Sequence, residues 1–94
     1  MAVGTGALSS EAKEVLDSCG LLSEFDCIVG CDQVENGKPA PDTFLLCAQL
    51  MGVNPQECIV FEDAVYGLKA AEAAGMLAID VATHFGVTND YFLG

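Results

Sequence analysis

Apolar residues arrive in four short runs, separated by stretches of helical periodicity. The runs cover 1–4, 27–30 (Cys27-Ile28-Val29-Gly30), 58–61 (Cys58-Ile59-Val60-Phe61) and 77–81 (Leu77-Ala78-Ile79-Asp80-Val81). Runs like Cys58 to Phe61 predict strands of a parallel sheet covered on both faces, since a sheet open to water on one face alternates apolar and polar residues. After the first run, Ser9 or Ser10 can cap a helix with Glu11 in its first turn. Ala12, Val15, Leu16 and Cys19 give that helix an apolar stripe, and Gly20 can stop it. Pro41 suits the first position of a second helix, with Asp42 where the helix potential is positive. That helix carries Phe44, Leu45, Ala48, Leu50 and Met51 and ends near Gly52. Leu68 to Ala74 is an Ala-rich third helix closed by Gly75. Leu21 to Phe25 is a connector or a single helical turn, and Gln33 to Pro41 an irregular loop.

Strand–helix alternation without any other repeat predicts the α/β class. The expected architecture is a partial Rossmann-like parallel sheet of about four strands, flanked by helices and joined by right-handed crossovers. Residues 1–81 form this partial core domain. Residues 82–94 are a tail ending in Tyr91-Phe92-Leu93, able to pack on the core.

Composition narrows the function. The 94 residues are one domain or less, and 52% apolar content with ten glycines excludes a disordered acidic tail. Fourteen acids stand against three lysines and no arginine, a net charge of −11. That balance argues against nucleic acid and anionic membrane surfaces, because little is available to neutralise backbone phosphates. One small phosphate is still within reach of a single lysine, amide donors and a metal. No apolar stretch approaches membrane-spanning length, and Met1-Ala2-Val3 has no leader character. The cysteines (Cys19, Cys27, Cys31, Cys47, Cys58) are odd in number without CxxC spacing. They predict reduced, mostly buried thiols in a cytoplasmic protein.

Open α/β folds place their chemistry at the carboxyl ends of the strands, and three loops there carry candidates. After 1–4, Thr5 offers a hydroxyl beside the amides of Gly6 and Ala7, able to hold a phosphate oxygen or to serve only as a local turn. Lys38, set between Gly37 and Pro39, can reach inward to phosphate and a carboxylate or lie solvated at the surface. Glu62 and Asp63 end the third strand. Two adjacent carboxylates suit a divalent metal or a lysine, or else Asp63 caps the next helix and Glu62 is solvated. Gly67 allows close helix packing or an unusual dihedral. His84 reads as a surface residue of the tail.

Gly37-Lys38-Pro39-Ala40-Pro41-Asp42, Val60-Phe61-Glu62-Asp63-Ala64, Gly67 through Gly75 and Val3-Gly4-Thr5-Gly6 together resemble the C-terminal half of a haloacid-dehalogenase-like hydrolase. The branch is that of beta-phosphoglucomutase and sugar-phosphate phosphatases, and the resemblance covers residues 1–81. It implies a magnesium-dependent enzyme acting on a small phosphorylated metabolite, such as a sugar monophosphate, through a phosphoaspartate intermediate. Thr5 and Gly6 would bind the phosphoryl group. Lys38 would neutralise developing charge and orient the nucleophile, and Glu62 and Asp63 would position magnesium directly or through water.

The central strand bearing the family's two aspartates, and its cap, have no counterpart here. Asp32 belongs to the acidic loop before the lysine, and neither Asp26 nor Asp80 has a paired acid at the needed spacing. The isolated chain is therefore expected to be inactive. It could also be a non-catalytic binding or structural half-fold, or the corresponding half of a phosphomutase. In the complete fold the lost strand separates 1–4 from 58–61. The gap is expected to close by direct pairing of those strands, or to be filled by self-association or a complementing N-terminal fragment.

Overall fold

A computed structural model describes residues 1–81. The predicted tail, with His84 and Tyr91-Phe92-Leu93, lies outside the described residues. Among the described residues four strands form, β1 (Ala2–Gly4), β2 (Cys27–Val29), β3 (Ile59–Glu62) and β4 (Leu77–Asp80), with three α-helices, α1 (Ser9–Ser18), α2 (Asp42–Met51) and α3 (Val65–Ala73). Single 3₁₀ turns at Leu22–Glu24, Cys31–Gln33 and Pro55–Glu57 join them. Gly20, Gly52 and Gly75 take positive φ of 73°, 69° and 78° just after the helices, the left-handed geometry that ends a helix without a Cβ penalty.

All pairing is parallel, as the α/β pattern predicts, but one continuous four-stranded sheet is not what forms. β1 pairs with β2 in the register Ala2↔Cys27 to Gly4↔Val29, and β3 pairs with β4 from Ile59↔Leu77 to Glu62↔Asp80. β1 and β3 are not hydrogen-bonded to each other, so the expected direct closure does not occur. α2 holds them apart: Phe44 and Ala48 pack in one core with Val60, Ala70, Ala71, Ala74 and Met76. The floor they provide lies beneath a cavity of about 570 Å³ walled by β1 and β3.

Coverage of the two pairs differs. Ala12 and Leu16 of α1 pack on Ile28, with Val3, Leu22 and Phe25 at the margin, while α2 lies against β1 and β2 as well. The β3–β4 pair departs from the expected double coverage. Val60 is buried, yet Ile59, Phe61 and Leu77 are 55%, 62% and 60% exposed. α2 and α3 join the cluster around Val60, whereas the α1 cluster contains no residue of this pair.

Helix α1 starts differently from the serine cap expected. Leu8 takes the N-cap position without a side-chain bond, and Ser9 is the first helical residue. The cap comes from across the chain: Asp32 accepts both the Ser9 N–H and the Ser9 hydroxyl at 2.7 Å. Gly30 makes this possible, since a Cβ there would run into the Ser9 nitrogen and Asp32 Oδ1. These bonds hold the Asp32 carboxyl below its ordinary range. The sign follows from linkage: a depressed folded-state pKa gives stability above the unfolded value, lost as pH falls through the folded one. We expect Asp32→Ala to lower the melting temperature at pH 7 and to lose that deficit as pH is taken well below 4; an unchanged deficit in acid would assign the effect to packing instead.

The thiols are less buried than expected. Cys47 is buried, Cys27 and Cys58 are intermediate, and Cys19 and Cys31 are exposed; all five are free. Cys31 opens the 3₁₀ turn after β2 and Cys19 ends α1, both outside the faces that pack. Burial, and then Cys27 beside it, pushes the Cys47 thiol up to about 12.

Candidate phosphate site

The carboxyl ends of β1 and β3 are bridged by one side chain. Lys38 Nζ donates to the Gly4 carbonyl at 3.2 Å and to Glu62 Oε2 at 3.0 Å. Its ammonium also lies 5.0 Å from the centre of the Phe44 ring, within range of a favourable cation–π contact. The Lys38 and Glu62 side chains keep only 14% and 10% of their surface exposed. The surface-lysine alternative is thus set aside.

Glu62 is not the solvated partner of the acidic pair. Its Oε1 accepts the N–H groups of Asp63 and Ala64 at 3.1 and 3.3 Å, in the turn just before α3, whose N-cap Ala64 has no side-chain bond; Asp63 does not cap the helix. Gly67 supplies the space: a Cβ there would run into the Glu62 carboxylate and Cγ. Its φ is not positive, so close packing rather than an unusual dihedral explains the glycine. Burial works against the Glu62 charge, but the Lys38 bond and charge, with the Ala64 N–H, outweigh it and hold the carboxyl below its ordinary range. Asp63 moves the other way, raised by desolvation and by its hydrogen bond and charge contact with Glu62.

Thr5 is buried, and its Oγ1 accepts the Ala7 N–H at 3.1 Å while its own N–H bonds Val29 at 2.9 Å. The local-turn role is therefore present, and the hydroxyl proton is still available to donate. Gly6 is an exposed bend residue of the same loop. Thr5 directly follows Gly4, and Asp63 directly follows Glu62, so the other four candidate residues, Thr5, Gly6, Glu62 and Asp63, belong to the strand ends that Lys38 joins or to the loops leaving them. Asp26 is elsewhere, paired with the N-terminal amine at 2.6 Å. Asp32 caps α1, and Asp80 closes β4.

Two participants escaped the sequence reading. The Gly4 carbonyl is invisible in a list of side chains, although a glycine ending a strand is a signal of close approach; a Cβ there would come within 2.9 Å of Thr43 Cγ2. Phe44 reads as core from its helical spacing, and it is core, yet its ring face also meets the lysine.

Magnesium takes six oxygens and keeps several waters, needing one or two carboxylates plus substrate phosphate. Glu62 already spends both oxygens on Lys38 and backbone N–H groups, which leaves Asp63. Among the described residues no three His, Cys, Asp or Glu side chains gather in a metal-holding group. The described residues therefore do not fit a resident magnesium by themselves.

The arrangement is thus a lysine clamped between parallel strand ends of an α/β fold, with a hydroxyl and a carboxylate pair on the adjoining loops. The sequence pattern of the haloacid dehalogenase-like hydrolases matches residues 1–75; the chain belongs to that family. It is 59% identical over 81 residues to the fructose-1-phosphate phosphatase of Escherichia coli, covering 86% of this chain and 43% of that protein. It is 39% identical over 84 residues to a phosphorylated carbohydrates phosphatase of Thermotoga maritima, covering 89% and 39%. Among solved structures, CbbY from Rhodobacter sphaeroides in complex with phosphate superposes with a TM-score of 0.76 at 30% identity, over 82% of this chain and 36% of that one. Beta-phosphoglucomutase from Clostridium difficile does so at 0.71 and 40%, over 74% and 31%. The chain thus spans less than half the length of these relatives. No described helix is long and apolar enough to cross a membrane.

Proposed function

We propose that this chain carries the phosphate-holding half of a phosphohydrolase acting on a small sugar monophosphate. The carrying observation is the Lys38 ammonium fixed between the Gly4 carbonyl and Glu62. In this reading Thr5 donates its free hydroxyl proton to a phosphoryl oxygen, and Gly6 contributes a backbone N–H beside it. Lys38 compensates oxygen charge, because phosphoryl transfer is mainly alignment plus charge compensation. The relatives named for fructose 1-phosphate and phosphorylated carbohydrates support a sugar monophosphate as substrate. A beta-phosphoglucomutase of Bacillus subtilis, 35% identical over 79 residues, supports the mutase alternative, since transfer to a sugar uses the same retained groups.

Inorganic phosphate tests the binding half of this reading. Titrated at millimolar concentration, it should shift the backbone NMR resonances of Thr5, Gly6 and Lys38, and Lys38→Met should abolish the shifts. Shifts elsewhere only, or none, would remove the phosphate assignment.

A second expectation concerns turnover. Among the described strands the only aspartate is Asp80, at the end of β4, and Lys38, Glu62 and Asp63 cannot replace a nucleophile with its acid/base partner. The purified 94-residue chain should give no measurable release of phosphate from fructose 1-phosphate with magnesium present. Magnesium-dependent hydrolysis abolished by Asp63→Asn would overturn this.

A further inference from the structure

The loop before Lys38 contains Asn36-Gly37; the other asparagines of the sequence are Asn54, before Pro55, and Asn89, before Asp90. An asparagine side chain is open to attack by the backbone nitrogen of the next residue, and a glycine there leaves that nitrogen unshielded, having no Cβ. Proline has no N–H to lose, so Asn54 is inert to this chemistry. Asn36 and Gly37 are both exposed and lie outside any helix or strand. The Gly37 carbonyl accepts the Ala40 N–H at 3.0 Å, but no described residue accepts the Gly37 N–H. Asn36 gives its backbone N–H and its Nδ2 to Asp42 Oδ2 at 3.2 and 3.3 Å. This ties the start of the Lys38 loop to the first residue of α2. Both bonds are long, solvent-exposed and shared by one oxygen, so they restrain the amide without locking it.

We propose that Asn36 is a self-modification site, deamidated through attack by the Gly37 nitrogen, and that its products loosen the loop holding Lys38. The Gly37 nitrogen, losing its proton, bonds to Asn36 Cγ. The Cγ–Nδ2 bond breaks, and Nδ2 leaves as ammonia with that proton, closing a five-membered succinimide. Water then opens the ring at either carbonyl. Opening at Cγ gives aspartate; opening at the main-chain carbon gives isoaspartate, whose backbone runs on through Cβ and Cγ. One water is consumed and one ammonia released, with no change in oxidation state. Either product replaces the donating amide with a carboxylate in a loop that closes on the Asp42 carboxylate, and like charges at that range repel. The isoaspartyl form also lengthens the backbone two residues before Lys38, whose bonds to the Gly4 carbonyl and Glu62 need its stem held in place. The isoaspartyl form is the substrate class of enzymes that methylate the displaced carboxyl. The proposal stands whether or not the site binds phosphate.

The test stores the whole chain at pH 8 and 37 °C and follows it by peptide mass mapping. The peptide containing Asn36 should gain the mass of an amide-to-acid exchange. A protein-isoaspartyl methyltransferase with labelled S-adenosylmethionine should then mark that peptide. Gly37→Ala is a clean control, since the Gly37 φ is not positive and nothing lies within 4 Å of where its Cβ would stand. It should leave the circular dichroism unchanged and slow the conversion by about tenfold or more. The stored chain, and Asn36→Asp made directly, should both show shifted Lys38 and Glu62 amide resonances and a lowered melting temperature, with Ala12 and Leu16 of α1 unmoved. Three results would overturn the proposal: no conversion, or conversion confined to Asn89; an equal rate in Gly37→Ala, which would mean direct hydrolysis without Gly37; or Lys38 resonances that stay in place once Asn36 is converted, which would mean the modification does not reach the lysine.

Discussion

Lys38→Met should destabilise the chain by about 2 to 3 kcal/mol at pH 7, because it leaves the Glu62 charge largely buried and unpaired. Methionine keeps the stem that reaches over Phe44, so the lost quantity is charge and hydrogen bonding rather than packing. The pH dependence separates these causes. Glu62 is held below its ordinary range in the parent chain, so its pairing contributes above the unfolded carboxyl pKa and is lost as pH falls through the lowered folded value. In the variant the desolvation that Lys38 outweighed acts unopposed, and the carboxyl is raised. Denaturant melts at pH 7 and pH 4 should therefore show the two proteins converging in acid. A gap of equal size at both values would contradict the electrostatic account.

Gly67→Ala should be nearly as damaging, against the helix-propensity rule. Alanine in a helix interior is favoured over glycine by about 1 kcal/mol, so a bland position would become more stable. Here the added Cβ runs into Glu62, whose carboxylate is tied by Lys38 and two backbone N–H groups. Moving it breaks the ion pair, and a net loss of about 2 kcal/mol is expected. A double-mutant cycle decides the mechanism. In a Glu62→Ala background the same Gly67→Ala change should stabilise by up to about 1 kcal/mol. If it still destabilises there, the contact with Glu62 is not the cause.

Strand and helix positions were legible because apolar runs and turn glycines report local requirements. Cys58 to Phe61, Gly52 and Gly75 sit within a residue of where their patterns predicted. The exposure of β3 was not legible, because apolarity at Ile59 and Phe61 states a need to be covered without naming what covers them. The Lys38–Glu62 pair came from two separate motifs, and only the fold could say which carboxylate of Glu62-Asp63 takes the lysine. The Asp32 cap on Ser9 spans 23 residues, beyond the reach of any rule about neighbouring positions. The separation of β1 from β3 was implied by the family resemblance; that they stay unpaired over the core of α2 and α3 is a packing outcome that no single segment encodes.

That seating has a consequence for how the molecule comes apart. Among the described residues no strand-to-strand hydrogen bond crosses from the β1–β2 pair to the β3–β4 pair; the contacts across the seam include the α2 core around Phe44 and Ala48 and the Lys38 clasp. Cooperativity in a sheet normally comes from its ladder, and here the ladder is interrupted. The β3–α3–β4 unit should therefore open as a subglobal unit before the rest unfolds. Its amides would exchange in one early step whose free energy drops when Lys38 is replaced.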